Sequence, residues 1–309
     1  MEGGAKGVRT MLTGLNVFFW GGDARQLEMI RKFCELDANV TLIGFDNLRQ
    51  PFPGVTMAEP HPPLFAHADA LILPTVVTDE TGKIESLFSS REMVLTDEIL
   101  SNLPEHAVVY TGLAKPFLKQ WCQKHHVKLV ELFERDDVAI YNSIPTAEGA
   151  IMMAIENTDI TIHSSRAIVL GLGRTGMTLA RTLKGMGAFV KVGVRRSEHF
   201  ARAEEMGLGP FYMKDLAEHV SDCDLLFNTV PAPVVTARVI ANMPHHAVII
   251  DLASSPGGTD FRFAEKRGIK ALLAPGLPGI VAPKTAGQIL AKCLAQLLSE
   301  TAKKRRDQE

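Results

Sequence analysis

Several features that define whole classes of protein are absent from this sequence. No apolar run reaches the roughly 20 residues that a membrane-spanning helix needs, and the first residues lack the apolar segment of a secretion signal. The four cysteines are scattered and form no Cys-x-x-Cys pair, which predicts free thiols in a reducing cytoplasm. The ten histidines form no cluster with metal-ligand spacing, so no metal site is predicted.

An excess of charge of one sign is also absent. The 33 basic and 35 acidic residues leave a formal net charge of −2, which gives no indication of nucleic-acid binding or of attachment to a membrane surface. The rest of the composition is ordinary for a globular protein. The 309 residues, 46% of them hydrophobic, are enough for two domains with separate cores.

Short β-rich runs alternate with helical patterns along most of the chain. Such alternation predicts βαβ units and hence an α/β fold with parallel sheets. Strands are predicted at 15–20, 40–45, 70–74, 107–110, 128–132, 167–170, 188–194, 224–229, 247–252 and 270–273. Helices are predicted between them, among others at 23–36, 96–102, 115–125 and 146–157. Asp23 followed by Gln26 is a capping-box pattern for the first helix.

The alternation predicts two doubly wound parallel-sheet domains with a ligand cleft between them. In this interpretation residues 1–145 form a flavodoxin-like substrate domain, and residues 146–284 form a Rossmann dinucleotide-binding domain. The last predicted helix, at 285–302, is apolar on one face and is expected to pack back onto the first domain.

Residues 166–197 carry the clearest chemical signal. An apolar strand leads into a Gly-x-Gly-x-x-Gly turn, and a helix and a second strand follow. In this context the turn is predicted to present backbone N–H groups at a helix N-terminus to a pyrophosphate. The predicted cofactor contacts in the turn are Gly171, Gly173, Arg174, Thr175 and Gly176.

The second strand of this segment ends in Arg195-Arg196-Ser197. NAD enzymes carry an Asp or Glu at this position for the ribose 2′-hydroxyl. Two arginines suit a 2′-phosphate instead, so NADP(H) is the predicted cofactor. A solvated strand end is the alternative interpretation of these arginines.

Two further loops follow strands of the second domain. Thr229, Val230 and Pro231 come after the fourth Rossmann strand and are predicted to contact the cofactor, although a plain turn also fits. Asp251 and Ala253 come after the next strand, beside the expected nicotinamide position. Asp251 is a candidate for orienting a substrate or a catalytic group, and equally for capping N–H groups of the glycine-rich turn that follows.

The stretch 274–285 contains three prolines and two glycines and is predicted to form an extended loop before the last helix. Lys284 stands at that helix start, where a cation is mildly unfavourable unless an anion is bound. A ligand carboxylate or phosphate would satisfy it; an exposed lysine is the alternative. Loops after first-domain strands, rich in small and hydroxyl residues, are predicted at 21–25, 74–77, 111–112 and 142–146. From these loops Arg25, Ser143 and Thr146 join Lys284 as candidate ligands of a substrate.

Four stretches resemble the A-subunit family of dipicolinate synthases from spore-forming bacteria. They lie at 142–150, 171–178, 251–261 and 275–287. The resemblance implies an enzyme of sporulating cells that acts in the mother-cell cytoplasm. Its reaction would convert a dihydro- or hydroxytetrahydrodipicolinate from the lysine pathway into pyridine-2,6-dicarboxylate. A flavoprotein-like B subunit is implied as a partner, and a homo-oligomer is left open.

In the resulting hypothesis, Lys284, Arg25, Ser143 and Thr146 hold the two substrate carboxylates, and Asp251 or a water molecule accepts the proton. Two other functions stay open. One is a dehydrogenase of another small carboxylate such as a hydroxy acid, although such enzymes typically use an Arg and a His–carboxylate pair and the second-domain loops show no convincing His. The other is a non-catalytic NADP-binding partner of a flavoprotein.

Overall fold

The computed structural model describes residues 12–48, 52–75 and 81–306 of the chain. Part of the predicted loop at 74–77 therefore lies outside the described residues. The chain divides into two compact units: unit 1 comprises Met1–Val138 and Pro283–Glu309, and unit 2 comprises Ala139–Ala282. The sequence suggested this boundary after residue 145, seven residues further along.

Unit 1 is built on a parallel sheet. Its described strands are β1 (Asn16–Trp20), β2 (Asn39–Ile43), β3 (Thr56–Met57), β4 (Ala70–Ile72), β5 (Lys83–Ile84), β6 (Met93–Val94), β7 (Val108–Thr111) and β8 (Lys128–Glu131). β5 and β6 form a separate antiparallel pair, and the other six make the sheet in the order β3-β2-β1-β4-β7-β8. Without the two-residue β3 at its edge, the sheet follows the 2-1-3-4-5 order of flavodoxin-like folds.

The helices of unit 1 cover the two faces of this sheet. They are α1 (Ala24–Glu35), α2 (Asp97–Ser101), α3 (Pro116–Lys124) and, from the end of the chain, α11 (Pro283–Arg306). α11 packs against α1 and contributes Leu290, Leu294 and Leu298 to the cluster that contains Phe19 and Phe33. One core of unit 1 is thus completed by residues from the last helix of the chain.

Unit 2 is a second doubly wound sheet. Its strands are β9 (Arg166–Leu170), β10 (Phe189–Val194), β11 (Gly209–Tyr212), β12 (Leu225–Asn228), β13 (Val248–Asp251) and β14 (Lys270–Leu273). All are parallel, in the order β11-β10-β9-β12-β13-β14. This is the 3-2-1-4-5-6 order of the Rossmann fold. The predicted α/β class with two doubly wound parallel sheets is confirmed.

The helices of unit 2 flank its sheet. They are α4 (Asp136–Glu156), whose first three residues belong to unit 1, α5 (Arg174–Gly185), α6 (Ser197–Glu205), α7 (Leu216–His219), α8 (Ala237–Ala241), α9 (Phe261–Arg267) and α10 (Leu277–Val281). Apolar residues of α4 and α5 pack together on one face of the sheet, with Ala150, Ala154, Leu179 and Leu183 fully buried. The central strands β9, β12 and β13 are buried along most of their length, as strands of a parallel sheet covered on both faces are.

Two predicted loops are wrong. Residues 142–146 lie inside α4, which continues through Pro145 because the preceding and following turns are held by buried residues such as Ser143 and Ala147. Residues 277–281 form α10 rather than an extended segment. Gly276 takes φ +69 at its N-terminal cap, and Pro278 lies in the first turn, where its missing N–H is not needed.

Candidate functional site

The turn after β9 leaves a helix N-terminus open. Gly171 has φ +92, a conformation that glycine adopts without strain, and a Cβ on Gly176 would lie 2.1 Å from the Gly171 carbonyl oxygen. Gly173 is the N-cap of α5 and supplies no side-chain hydrogen bond to the helix. Apart from its chain neighbours and the backbone of its own helix, no heavy atom of the described residues lies within 4 Å of the position that a Cβ on Gly173 would take. Backbone N–H groups at this end of α5 are therefore accessible to an anion.

The loop after β12 lies directly against this turn. The Thr229 hydroxyl donates a 2.7 Å hydrogen bond to the Leu170 carbonyl oxygen. A Cβ on Gly171 would come within 2.7 Å of the Thr229 Oγ1 and 3.1 Å of a Val230 methyl group. The structure thus brings Thr229 and Val230 to the glycine turn, and Pro231 is exposed next to them.

The carboxyl end of β10 also lies beside the glycine turn that follows β9. The Gly171 N–H donates to the Gly193 carbonyl oxygen at 2.9 Å, and β10 ends one residue later. Arg195 is exposed and has no hydrogen bond or ion pair to any described residue. Arg196 pairs with Glu198 at 3.1 Å, and its Nη2 lies 2.6 Å from His199 Nε2, while Ser197 begins α6. Two guanidinium groups therefore follow the strand that borders the turn.

Arg174 and Thr175, the remaining predicted contacts in the turn, form the first two positions of α5. Arg174 is exposed and Thr175 is half-buried. Their place in the first helical turn puts both beside the open N-terminus.

Asp251 caps the loop that follows β13. Its Oδ1 accepts from Asn228 Nδ2 and the Ala253 N–H, each at 3.0 Å. Its Oδ2 accepts from the Gly258 N–H at 2.8 Å and the Thr259 hydroxyl at 2.6 Å. The residue is 0% exposed. With four internal donors and no exposed surface, this carboxylate matches the capping alternative, and Ala253 serves the cap through its N–H.

Ser143 and Thr146 use their hydroxyls inside unit 2. Ser143 Oγ donates to the Ile140 carbonyl oxygen at 2.6 Å and lies 2.6 Å from Thr178 Oγ1, which ties α4 to α5. Thr146 Oγ1 donates to the Asn142 carbonyl oxygen at 2.8 Å. Their prediction as substrate ligands assumed a loop, and the helix removes that basis.

Arg25 and Lys284 lie at the starts of two adjacent helices of unit 1. Gly287 of α11 touches the backbone of Arg25, since a Cβ on Gly287 would lie 2.5 Å from the Arg25 carbonyl oxygen. Lys284 is exposed and lines a groove of about 1050 Å³ along α1 and α11. It has no hydrogen bond or ion pair to any described residue.

Arg25 is held by the cap of its own helix. Its Nε lies 3.0 Å from Asp23 Oδ1 and its Nη2 lies 2.5 Å from Asp23 Oδ2. Asp23 also accepts the Arg25 backbone N–H, and Gln26 completes the predicted capping box, which is confirmed. Burial alone would raise the pKa of Asp23, but the hydrogen bond and charge of Arg25 outweigh it, so the pKa lies below its usual value.

Gln26 has a feature that sequence reasoning missed. Its side chain is fully buried, Oε1 accepts the Asp23 N–H at 2.9 Å, and Nε2 has no acceptor among the described residues. A buried amide donor beside Arg25 adds to the polar character of this end of α1. Nothing in a single sequence distinguishes such a buried glutamine from an exposed one.

The histidine–carboxylate pair of unit 2 lies away from the glycine turn. His246 Nε2 is 3.0 Å from Asp224 Oδ1, and these residues precede β13 and β12. The pair is therefore at the amino ends of the strands, opposite the edge that binds ligands in open α/β sheets. Among the described residues, no group of three or more His, Cys, Asp or Glu side chains is placed to hold a metal ion. Over the same residues, no helix has the length and hydropathy to cross a bilayer.

Comparison with known proteins agrees with this geometry. Residues 16–133 match the model of the N-terminal domain of the dipicolinate synthase A subunit. The chain is 53% identical over 290 residues to the dipicolinate synthase A subunit of Bacillus subtilis (strain 168), covering 94% of this chain and 98% of the relative. The chain belongs to the dipicolinate synthase A-subunit family. The predicted resemblance is confirmed.

Solved structures support the same assignment. The structure of the dipicolinate synthase A subunit from Bacillus halodurans is 56% identical, with a TM-score of 0.91, and the alignment covers 93% of this chain and 99% of that one. The corresponding Bacillus subtilis structure is 52% identical, with a TM-score of 0.92 and 96% and 99% coverage.

Residues 143–308 match the alanine dehydrogenase/PNT C-terminal domain, a family that binds nicotinamide cofactors. A transhydrogenase structure from Sinorhizobium meliloti has a TM-score of 0.66 at 15% identity, covering 92% of this chain and 93% of that one, which shows a shared fold. This member of the dipicolinate synthase A-subunit family therefore contains a dehydrogenase-like, NAD(P)-binding domain.

Proposed function

We propose that this chain is an NADP-dependent dehydrogenase that oxidises dihydrodipicolinate to pyridine-2,6-dicarboxylate during sporulation. The substrate would derive from the hydroxytetrahydrodipicolinate of the lysine pathway. The observation that carries the proposal is the open N-terminus of α5, flanked by Arg195 and Arg196 at the end of β10.

The residues present fit a dinucleotide with a 2′-phosphate. The space above Gly173 leaves room for a pyrophosphate, and the exposed N–H groups of α5 supply donors. Arg195 and Arg196 supply guanidinium groups that suit a phosphate better than a ribose hydroxyl. Thr229 and Val230 support Gly171 from the opposite side.

The chemistry requires little acid–base work from the protein. When bound, the nicotinamide supplies the acceptor for the hydride that the ring loses. The substrate ring also loses one proton, so dihydrodipicolinate and NADP⁺ give pyridine-2,6-dicarboxylate, NADPH and H⁺. Aromatisation drives the step, so the chain mainly orients the ring and holds its carboxylates. We assign carboxylate binding to Lys284 and Arg25, the cations at the starts of α11 and α1.

We infer the partner and the location from the family name. The Bacillus subtilis relative is named as an A subunit, so that protein is one chain of a complex. By extension, this chain would act with a flavoprotein-like B subunit in the mother-cell cytoplasm.

The cofactor assignment is tested by replacing both Arg195 and Arg196 with Ala. Each of the two lost charge-assisted hydrogen bonds weakens binding by about 1.5–3 kcal/mol, so we expect NADP⁺ affinity to fall at least about 100-fold while NAD⁺ affinity changes little. Calorimetric titration with both nucleotides measures this. An equal loss for both nucleotides contradicts a 2′-phosphate site.

Catalysis is tested with the purified chain, NADP⁺ and freshly generated dihydrodipicolinate. A pyridine absorbance should appear together with NADPH, and Lys284→Ala should raise KM for the substrate without changing NADP⁺ affinity. Lys292→Ala, on the same helix, is the matched control. Activity that requires a flavoprotein and never NADP⁺ would instead support a non-catalytic binding partner.

A further inference from the structure

A groove in unit 2 lies at the amino ends of three adjacent strands, β9, β10 and β11. Its volume is about 430 Å³, which is within the range of pockets that hold small organic ligands. Ligands of open α/β sheets bind at the opposite, carboxyl edge, so the nucleotide site does not account for this groove. We call it the amino-edge groove. Its lining includes three cations, one carboxylate and one aromatic ring: Arg166, Lys184, Lys191, Asp222 and Phe189.

Three of these lining residues lie on one face of the sheet. Arg166 of β9 is the register partner of Phe189 of β10, and such partners in a parallel pair share a face. Lys191 follows Phe189 by two residues in the same strand, so it lies on that face as well. Phe189 is 67% exposed. The groove therefore has an accessible aromatic ring with one cation on its own strand and another on the neighbouring strand.

The cations of the groove outnumber its carboxylates. Asp222 is shared, because its Oδ1 lies 3.2 Å from Lys191 Nζ and its Oδ2 lies 3.6 Å from Arg166 Nη1. Apart from this ion pair, the Arg166 guanidinium donates no hydrogen bond to a described residue. Lys184 Nζ donates to the Met206 carbonyl oxygen, which is neutral, and forms no ion pair within the described chain. One carboxylate thus lies among three cations.

A ligand with two negative charges would balance this excess. Guanidinium and ammonium groups hold carboxylates and phosphates through charge-assisted hydrogen bonds, and the fork of Arg166 has donors left for a bidentate contact. The exposed ring of Phe189 offers an apolar surface beside these donors, against which a ring or a hydrocarbon chain can pack. A nucleic acid would need a longer row of cations than the groove contains.

We propose that the amino-edge groove binds a small organic dianion, a dicarboxylate or a phosphate monoester with an apolar part. Arg166, Lys184 and Lys191 contact its charged groups, and Phe189 contacts its apolar part. The proposal does not depend on the substrate or the cofactor of the proposed function, because the groove lies at the other edge of the sheet.

Binding is tested by titrating phenyl phosphate or benzene-1,3-dicarboxylate into the isotopically labelled full chain and following amide NMR signals. Gly207 and Gly209 line the groove, whereas Gly173 and Gly176 belong to the glycine turn, so the signals that move locate the probe. We expect saturable shifts at Gly207 and Gly209, and the tighter probe identifies phosphate or carboxylate as the preferred group. Shifts confined to the glycine turn, or no saturable shift with either probe, would overturn the proposal.

The cations are tested by a matched pair of double variants. Arg166→Gln with Lys191→Gln should weaken binding of the tighter probe at least about 10-fold, because charge-assisted hydrogen bonds are lost. Arg202→Gln with Lys266→Gln is the control, since it removes the same two charges from exposed positions of unit 2 outside the groove. Equal losses for the two double variants would show that the probe responds only to net charge.

The carboxylate is tested in the opposite direction. Asp222→Asn removes the negative charge of the groove but keeps an oxygen that accepts from Lys191, so binding should tighten about 5-fold. Glu205→Gln, which removes a carboxylate paired with Arg202 outside the groove, should leave binding unchanged. Weaker binding in Asp222→Asn, or the same gain in both variants, contradicts the proposal. Circular dichroism and thermal unfolding check that each variant is folded.

Discussion

The turn after the first strand differs between the two units, although each leads from a central parallel strand into a helix. In unit 1 the turn ends in Asp23, whose carboxylate caps α1 and pairs with Arg25. In unit 2 it ends in Gly173, which has no side chain to cap α5. The same supersecondary element is therefore closed by its own anion in one unit and open to an external anion in the other.

The turn of unit 1 is also more crowded than the turn of unit 2. A Cβ on Gly22 would lie 2.3 Å from the Gln26 side chain, whereas a Cβ on Gly173 would meet no described atom within 4 Å outside the adjoining backbone. A doubly wound sheet alone does not specify a nucleotide site. The residue at the helix N-cap, and the side chain one turn later, determine whether the anion is internal or a ligand.

Gly173→Asp would make the second turn resemble the first, and we expect the largest effect from it. The new carboxylate would cap α5 and repel a pyrophosphate, so affinity for both NADP⁺ and NAD⁺ should fall more than about 100-fold. Thermal stability should not fall, because Gly173 has φ −80, which suits any residue. Calorimetric titration and thermal unfolding measure the two effects.

Gly173→Asn is its control. Asn caps a helix equally well but carries no charge, so its loss of affinity should be clearly smaller. Equal losses for Asp and Asn would mean that bulk rather than charge closes the site.

Asp23→Ala removes the internal anion of unit 1. We expect the free energy of unfolding to fall by about 2 kcal/mol, at the upper end of N-cap effects, because Arg25 also loses its partner. Asp23→Asn should cost less, since it retains a cap. Urea unfolding at neutral pH measures the difference, and an unchanged midpoint for Asp23→Ala would show that the cap contributes nothing.

The charge of Asp23 also predicts a pH dependence. Because its pKa is lower in the folded protein than in the unfolded chain, ionised Asp23 stabilises the fold above the ordinary aspartate pKa of about 3.9. That stabilisation is lost as the pH falls through the folded-state pKa. The stability difference between the wild type and Asp23→Asn should therefore shrink between pH 7 and pH 3 in urea titrations. A constant difference would indicate that the charge has no role.

We expect the smallest effect on nucleotide affinity from removing the Asp23 side chain of the first turn. In the Gly173→Asp background, adding Asp23→Gly should not restore nucleotide binding, because the Gln26 side chain fills the space beside Gly22. Recovery of NADP⁺ affinity in this double variant would show that the cap alone distinguishes the two turns.

The part of the nucleotide site that could be predicted is local in sequence. The glycine spacing, the preceding strand and the basic end of β10 lie within about thirty residues, which is the span of a βαβ unit. The edge strand β11 was missed because it is short and contains Pro210, a residue tolerated at sheet edges but not typical of strands.

The role of Asp251 depends on a partner that is distant in sequence. Asn228 and Asp251 are register partners of β12 and β13, and this pairing brings the amide to the carboxylate. A single sequence does not specify that register, so capping and catalysis were equally compatible with it. Pro145 illustrates the same point, because tertiary packing carries α4 through a residue that usually ends helices.

The position of α11 after unit 2 in the sequence affects the order in which the two units can fold. Unit 1 needs Leu290, Leu294 and Leu298 for one of its cores, yet these residues are synthesised only after all of unit 2. A ribosome therefore releases the complete sheet of unit 1 long before the helix that covers it. During translation the apolar side of α1 stays uncovered until α11 has been synthesised. By that time all residues of unit 2 have been synthesised. The first unit to emerge is the last one able to finish folding.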